Sequence, residues 1–190
     1  MLNRILIVAV AIAVVGGVLG SRGLALFTST ATVGSNTFTT GSVSLTTSPT
    51  TALVTFANMA PGDQVTAPIT VTNAGTLALR YAVTSTTTEN VLATQLQLTI
   101  KSGVTTCTNA AYAASGTLIY NAAALGNTTA VNVVGNPTQG SQAGARTLAA
   151  AANEVLCFNV SLPLASGNTI QGLTSTATFS FQGEQTTNNP

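Results

Sequence analysis

The sequence predicts an all-β fold, a sandwich or barrel of about eight short strands. Three observations carry that prediction. Apolar residues alternate with Thr and Ser in segment after segment, the period of two of a strand. Gly, Pro, Asn and Asp punctuate these segments at short intervals. No long stretch of the chain beyond its leader has the 3.6-residue spacing of an amphipathic helix.

The chain begins with one positive charge, Arg4, then an unbroken run of apolar residues and Gly from Ile5 to Leu19. Gly23-Leu24-Ala25 follows as a small-x-small site. Together these read as a secretory signal peptide, residues 1–25, cleaved between Ala25 and Leu26. The apolar run is short for a bilayer-spanning helix, which needs roughly 20 residues. A retained anchor and a pilin-type leader processed near Asn3-Arg4 are the alternatives. The membrane is expected as a partner only through this leader, and the mature protein is expected outside the cell.

In the mature chain, Phe27, Ser29, Ala31 and Val33 alternate with Thr28, Thr30 and Thr32, and Gly34 breaks the run. A second extended stretch carries Phe38, Val43 and Leu45, bends at Gly41 and ends by Pro49. Leu53 to Phe56 is a short strand, and Ala60-Pro61-Gly62-Asp63 is a turn. Val65 to Val71, the turn Asn73-Ala74-Gly75-Thr76 and Leu77 to Val83 read as a hairpin. Pro68 marks an edge or a bulge within it. Thr84 to Asn90 reads as a polar loop, and Gln95 to Ile100 as a strand. Cys107 to Gly144 is a long decorated connection, with a helical turn near Asn109 to Ala114 and a strand at Thr117 to Tyr120. Val155 to Leu162 is a strand with Leu156, Phe158, Val160 and Leu162 inward and Cys157 outward. Thr174 to Gln182 is the last strand, with Ala177, Phe179 and Phe181 inward. The expected organisation is a leader at 1–25, an N-terminal strand at 26–34, a β-sandwich domain at 35–185 and a polar tail at 186–190.

Composition narrows the function. Of 190 residues only five are Lys or Arg and four Asp or Glu, with no His; charged residues are 5% of the chain, against about 25% in an average domain. A chain that is 45% hydrophobic buries a core, and its low net charge separates it from disordered segments. Without His there is no Ser-His-Asp triad and no His-based metal site. No catalytic residue, metal or cofactor is expected, and the absence of a basic cluster argues against nucleic acid. Losing Arg4 and Arg22 leaves Arg80, Lys101 and Arg146 against Asp63, Glu89, Glu154 and Glu184, a mature net charge of −1. Export makes a Cys107–Cys157 disulfide the default, with two buried thiols as the alternative. Asn127-Thr128-Thr129 and Asn159-Val160-Ser161 are glycosylation sequons.

Several segments, in order behind the leader, resemble the TasA/camelysin family. Leu26-Phe27-Thr28-Ser29-Thr30-Ala31-Thr32 is similar to its aromatic-plus-Ser/Thr opening. Asn36 to Leu45 resembles its G-N-T-F-x-A-G-x-L-D-L segment. Met59-Ala60-Pro61-Gly62-Asp63 through Tyr81 is similar to its M-x-P-G-D … I-x-V-x-N-x-G-x-L-x-x-x-Y block, and Phe179 to Thr186 to its F-x-F-x-A-x-Q-x close. The resemblance implies a jelly-roll-like sandwich and secreted subunits of biofilm-matrix fibres, with similar subunits in some archaeal pili. It also implies that the N-terminal segment of one subunit becomes a strand of the next.

The residues themselves suit that role. Leu26, Phe27, Thr28, Ser29, Thr30, Ala31, Thr32 and Val33 form a terminal, alternating, uncharged segment, and Gly34 after them is a hinge. The expected function is therefore a filament or pilus subunit whose partner is itself, head to tail by donor-strand complementation. The alternatives are pairing of this segment within its own domain, and a non-polymerising adhesin or S-layer-associated module. The adhesin would bind through 107–144, with Tyr112 and Tyr120 as contacts.

Overall fold

The computed structural model describes residues 37–51 and 58–189. The leader, the 26–33 segment, Gly34 and the strand expected at Leu53 to Phe56 lie outside the described residues. The chain forms two compact units, Met1–Thr39 and Thr40–Pro190. The first is described only at residues 37–39, where the chain has no regular secondary structure. The second is described at residues 40–51 and 58–189.

That unit is nearly all β, as the alternation predicts. Strands β1 (Leu45–Ser48), β2 (Gln64–Asn73), β4 (Gln97–Ser102), β5 (Thr117–Ala124) and β8 (Asn153–Ser161) make one antiparallel sheet in the order β1-β2-β8-β4-β5. Strands β3 (Leu79–Thr87), β6 (Val131–Val134), β7 (Arg146–Leu148) and β9 (Ala177–Gln185) make the second. In it β3 is central: β9 pairs along its full length, while β7 and β6 pair end to end on its other side. One apolar core lies between the sheets. Val71, Leu98, Ile100, Leu156 and Phe158 of the first sheet meet Leu79, Tyr81, Val83 and Val134 of the second, all 0–2% exposed. Phe158 and Phe179 bridge the sheets edge to face, 4.9 Å between centroids.

The hairpin expected across Asn73–Thr76 does not form. β2 pairs with β1 and β8, and β3 with β6, β7 and β9, so the turn carries the chain from one sheet to the other. The cause is Asn73, which is fully buried. Its Nδ2 donates to the carbonyls of Leu77 at 2.8 Å and Ala149 at 2.9 Å, and its Oδ1 accepts from the Gly75 N–H at 2.9 Å. These bonds hold the corner against the β7–β8 connection, where a hairpin would have turned back on itself. Gly75 is required there by close approach: a Cβ would lie 2.4 Å from the Ser42 carbonyl oxygen.

Two further expectations are corrected. Thr84 to Thr87 continue β3, although they had read as loop. Two of their hydroxyls are satisfied within the fold: Ser85 Oγ donates to the Leu125 carbonyl at 2.6 Å and Thr87 Oγ1 to that of Glu89 at 2.8 Å. The connection 107–144 holds more regular structure than its composition suggested, with α1 (Asn109–Ala114), β5 and β6 all inside it. The helical turn and the strand expected there are α1 and β5. The Pro61-Gly62 turn is as expected, with Gly62 at φ 98° and Asp63 Oδ2 accepting from the Ala60 N–H at 2.8 Å.

Candidate assembly surface

The two sheets end differently at their edges. Residue pairing along β3 and β9 fixes which backbone groups of β9 are free. Thr88 N–H donates to the Thr176 carbonyl at 3.0 Å and Thr186 N–H to that of Ala78 at 3.1 Å. Directly opposed antiparallel residues alternate between bonded and non-bonded pairs. With the register Leu79↔Gln185 through Thr87↔Ala177, the even-numbered residues of β9 bond to β3. Ala177, Phe179, Phe181 and Gly183 therefore aim their N–H and C=O groups at the outer edge. Among the described residues no strand pairs there.

The side chains of that edge are half covered. Ala177, Phe179 and Phe181 pack against the core but remain partly exposed, while their neighbours on β3 are sealed. The facing edge of the first sheet is also incomplete. β1 covers β2 only from Thr70 to Asn73, so the half of β2 from Gln64 to Ile69 has β8 as its one strand partner among the described residues. Pro68, predicted to mark an edge or a bulge, lies in that half. Of the apolar residues along β2, Ile69 and Val71 are core and Ala67 is half buried.

The opposite side of the sandwich is guarded. β5 pairs with β4 through two register shifts, and Ala122 within it has φ 40°. Bulges of this kind twist an edge away from pairing. The disulfide joins Cys107 to Cys157 across 50 residues, with Cα atoms 5.5 Å apart. It ties the chain entering α1 to the outer face of β8, where Cys157 is 1% exposed. Lys101 caps α1 from below, its Nζ donating to the Tyr112 carbonyl at 2.8 Å and lying 4.6 Å from the Tyr112 ring centroid. Tyr112 is 8% exposed and Tyr120 half buried against the core. Neither is the exposed contact residue that an adhesive 107–144 segment would need.

Every charged side chain among the described residues is engaged internally. Arg80 pairs with Glu184 at 2.6 Å and also donates to the Asn189 carbonyl, which docks the polar tail. Arg80 holds the Glu184 carboxyl below its ordinary range, with Asn189 adding to the effect. Arg146 grips both oxygens of Glu154, and Tyr81 donates to Glu154 Oε1 at 2.6 Å. Burial, then that carboxylate, pushes the Tyr81 hydroxyl well above its usual value. Glu89 accepts from the N–H groups of Leu92 and Ala93. A cavity of about 150 Å³ lies beside Arg80 and Glu184, walled by Asn136, Gly140 and Gln182.

The chain has no His, both Cys are bridged, and its four carboxylates are each hydrogen-bonded within the chain. Among the described residues no three potential ligands come together. Among them, too, no helix is long and apolar enough to cross a membrane. The predicted donor segment 26–33, hinge Gly34 and cleavage site Ala25–Leu26 lie outside the described residues.

A comparison with curated proteins finds no match. A family model described as camelysin metallo-endopeptidase matches residues 1–189, nearly the whole chain. The chain therefore belongs to the camelysin family, the family of TasA, whose members are secreted or at the cell surface and whose TasA-like members are generally structural.

Proposed function

We propose that the protein is a structural subunit of an extracellular filament of the biofilm-matrix type, and not a peptidase. Leu26 to Val33 of one subunit adds as a strand to the open β9 edge of the next, and Gly34 is the hinge that lets it leave its own domain. The observation that carries this reading is the β9 edge. It presents a row of backbone groups with no strand partner among the described residues, over a strip of core that Phe179 and Phe181 leave half covered. Strand addition satisfies both needs together, because main-chain bonds supply affinity and alternate side chains supply register. Contact of this kind is head to tail and does not close on itself, so it propagates.

Negative-stain microscopy of the secreted protein, with N-terminal sequencing, tests the reading. Filaments of a chain beginning at or near Leu26 are expected. Deleting Leu26 to Val33 is expected to leave a folded, soluble monomer. Filaments from the deleted chain would refute the donor role, and a wild-type monomer that binds a surface would favour an adhesin.

A further inference from the structure

The fold treats the two sequons oppositely. Asn159 lies in mid-β8, paired in register with Thr66 of β2 and Thr99 of β4. It is 4% exposed. Its Nδ2 donates to Thr66 Oγ1 at 2.8 Å and to Gln64 Oε1 at 3.2 Å. Thr66 in turn donates to Asn109 of α1, which lies over this face of the sheet. Both amide hydrogens of Asn159 are engaged, and a saccharide on that nitrogen is incompatible with the folded sheet.

Asn127 sits in the connection from β5 to β6, on a backbone that is firmly held. Its carbonyl accepts from the Thr87 N–H at 2.9 Å. Thr128 is clamped by Asn90, whose Oδ1 accepts from the Thr128 N–H at 2.8 Å and whose Nδ2 donates to Thr128 Oγ1 at 3.1 Å. The Asn127 Oδ1 accepts from Thr128 Oγ1 and the Thr129 N–H, at 3.2 and 3.3 Å. That leaves Nδ2 without a hydrogen-bond partner among the described residues. Thr128 and Thr129 are exposed. A third near-match, Asn136-Pro137-Thr138, is barred by its central Pro.

The position also clears the assembly edge. Thr87 sends its N–H to Asn127, and Thr88 sends its own to Thr176, at the start of β9. Successive amides of a strand point to opposite edges, so Asn127 lies across β3 from the open edge.

We infer that Asn127 is an N-glycan acceptor and that Asn159 is not. The donor is a saccharide activated on a polyprenyl phosphate or diphosphate, brought by a membrane oligosaccharyltransferase. The anomeric C1–O bond to phosphate breaks and a C1–Nδ2 bond forms. Nδ2 gives up one proton, and the phosphate carrier leaves with the electron pair. The Thr129 hydroxyl is the sequon's second required group. The inference rests on the export assumed above but not on polymerisation.

Glycopeptide mass spectrometry of the protein purified from the organism that makes it tests this. Sugar mass is expected on the peptide carrying Asn127 and none on that carrying Asn159. It should vanish in Asn127→Gln and Thr129→Ala and persist in Thr129→Ser. Bare Asn127, a glycan on Asn159, or sugar mass that survives Asn127→Gln would each overturn the proposal. Filaments are scored separately by microscopy, and Asn127→Gln is expected to retain them.

Discussion

Among the described residues β5 and β9 are both edges of the same sandwich, yet they are finished in different ways. β5 is bulged and bent at Ala122. β9 is nine residues long, pairs with β3 in unbroken register and carries no charge or Pro from Ala177 to Gly183. Soluble proteins blunt their edges with bulges, charge or cover. Among the described residues these devices stand on the β5 side and not on the β9 side, the contrast on which the proposed interface rests. The contrast separates protection from neglect, because the devices for protection are present in the same molecule.

The largest effect is expected on assembly. A Lys on an edge strand opposes strand addition. Ser180→Lys on β9 is expected to reduce filament yield at least tenfold, while Leu118→Lys on β5 leaves it unchanged. Both positions are exposed, so melting of the monomer should move by no more than about 0.5 kcal/mol. Equal loss from both substitutions, by microscopy and sedimentation, would break the contrast. Next is the disulfide. Replacing Cys107 and Cys157 by Ser is expected to cost about 4 kcal/mol on the loop-entropy account. Hydrogen exchange should rise in α1 and stay level in β9.

A smaller effect is expected in the half-covered strip. Phe179→Ala should cost about 2 kcal/mol in denaturant melts, below the range for a sealed aromatic because Phe179 is only partly buried. Leu118→Ala should cost about 0.5 kcal/mol or less. The smallest concerns acid. Glu184 titrates below its ordinary 4.5 because Arg80 stabilises the carboxylate. A depressed pKa gives stability that is full above the unfolded value and lost as pH falls through the folded one. The melting temperature should therefore fall less steeply below pH 4.5 in Glu184→Gln than in the wild type.

Alternation made most strands legible, because burying one face of a sheet imposes a period of two. Leu156, Phe158, Phe179 and Phe181 face inward as their spacing requires. Partnership was harder to read. β2 and β3 alternate as a hairpin would, and only the burial of Asn73 by distant carbonyls sends them to separate sheets. Thr84 to Thr87 read as loop because their composition is polar, and their partners Leu125 and Glu89 are not visible in a local window. The strand β9 was legible for the same reason as the others, but its openness was not. Openness depends on which strands fail to flank it. The Arg80–Glu184 pair spans 104 residues and leaves no local pattern.

The internal engagement of all seven charges among the described residues has one more consequence. Ionic strength acts on association by screening charges that face one another across water, over a Debye length of about 8 Å at physiological salt. Here four of the seven, Arg80 with Glu184 and Arg146 with Glu154, already face an opposite charge inside their own chain. Screening therefore has little to act on between subunits. A polymer of such subunits should keep its length from dilute buffer to brine, a tolerance suited to material that leaves the cell and meets whatever water surrounds it.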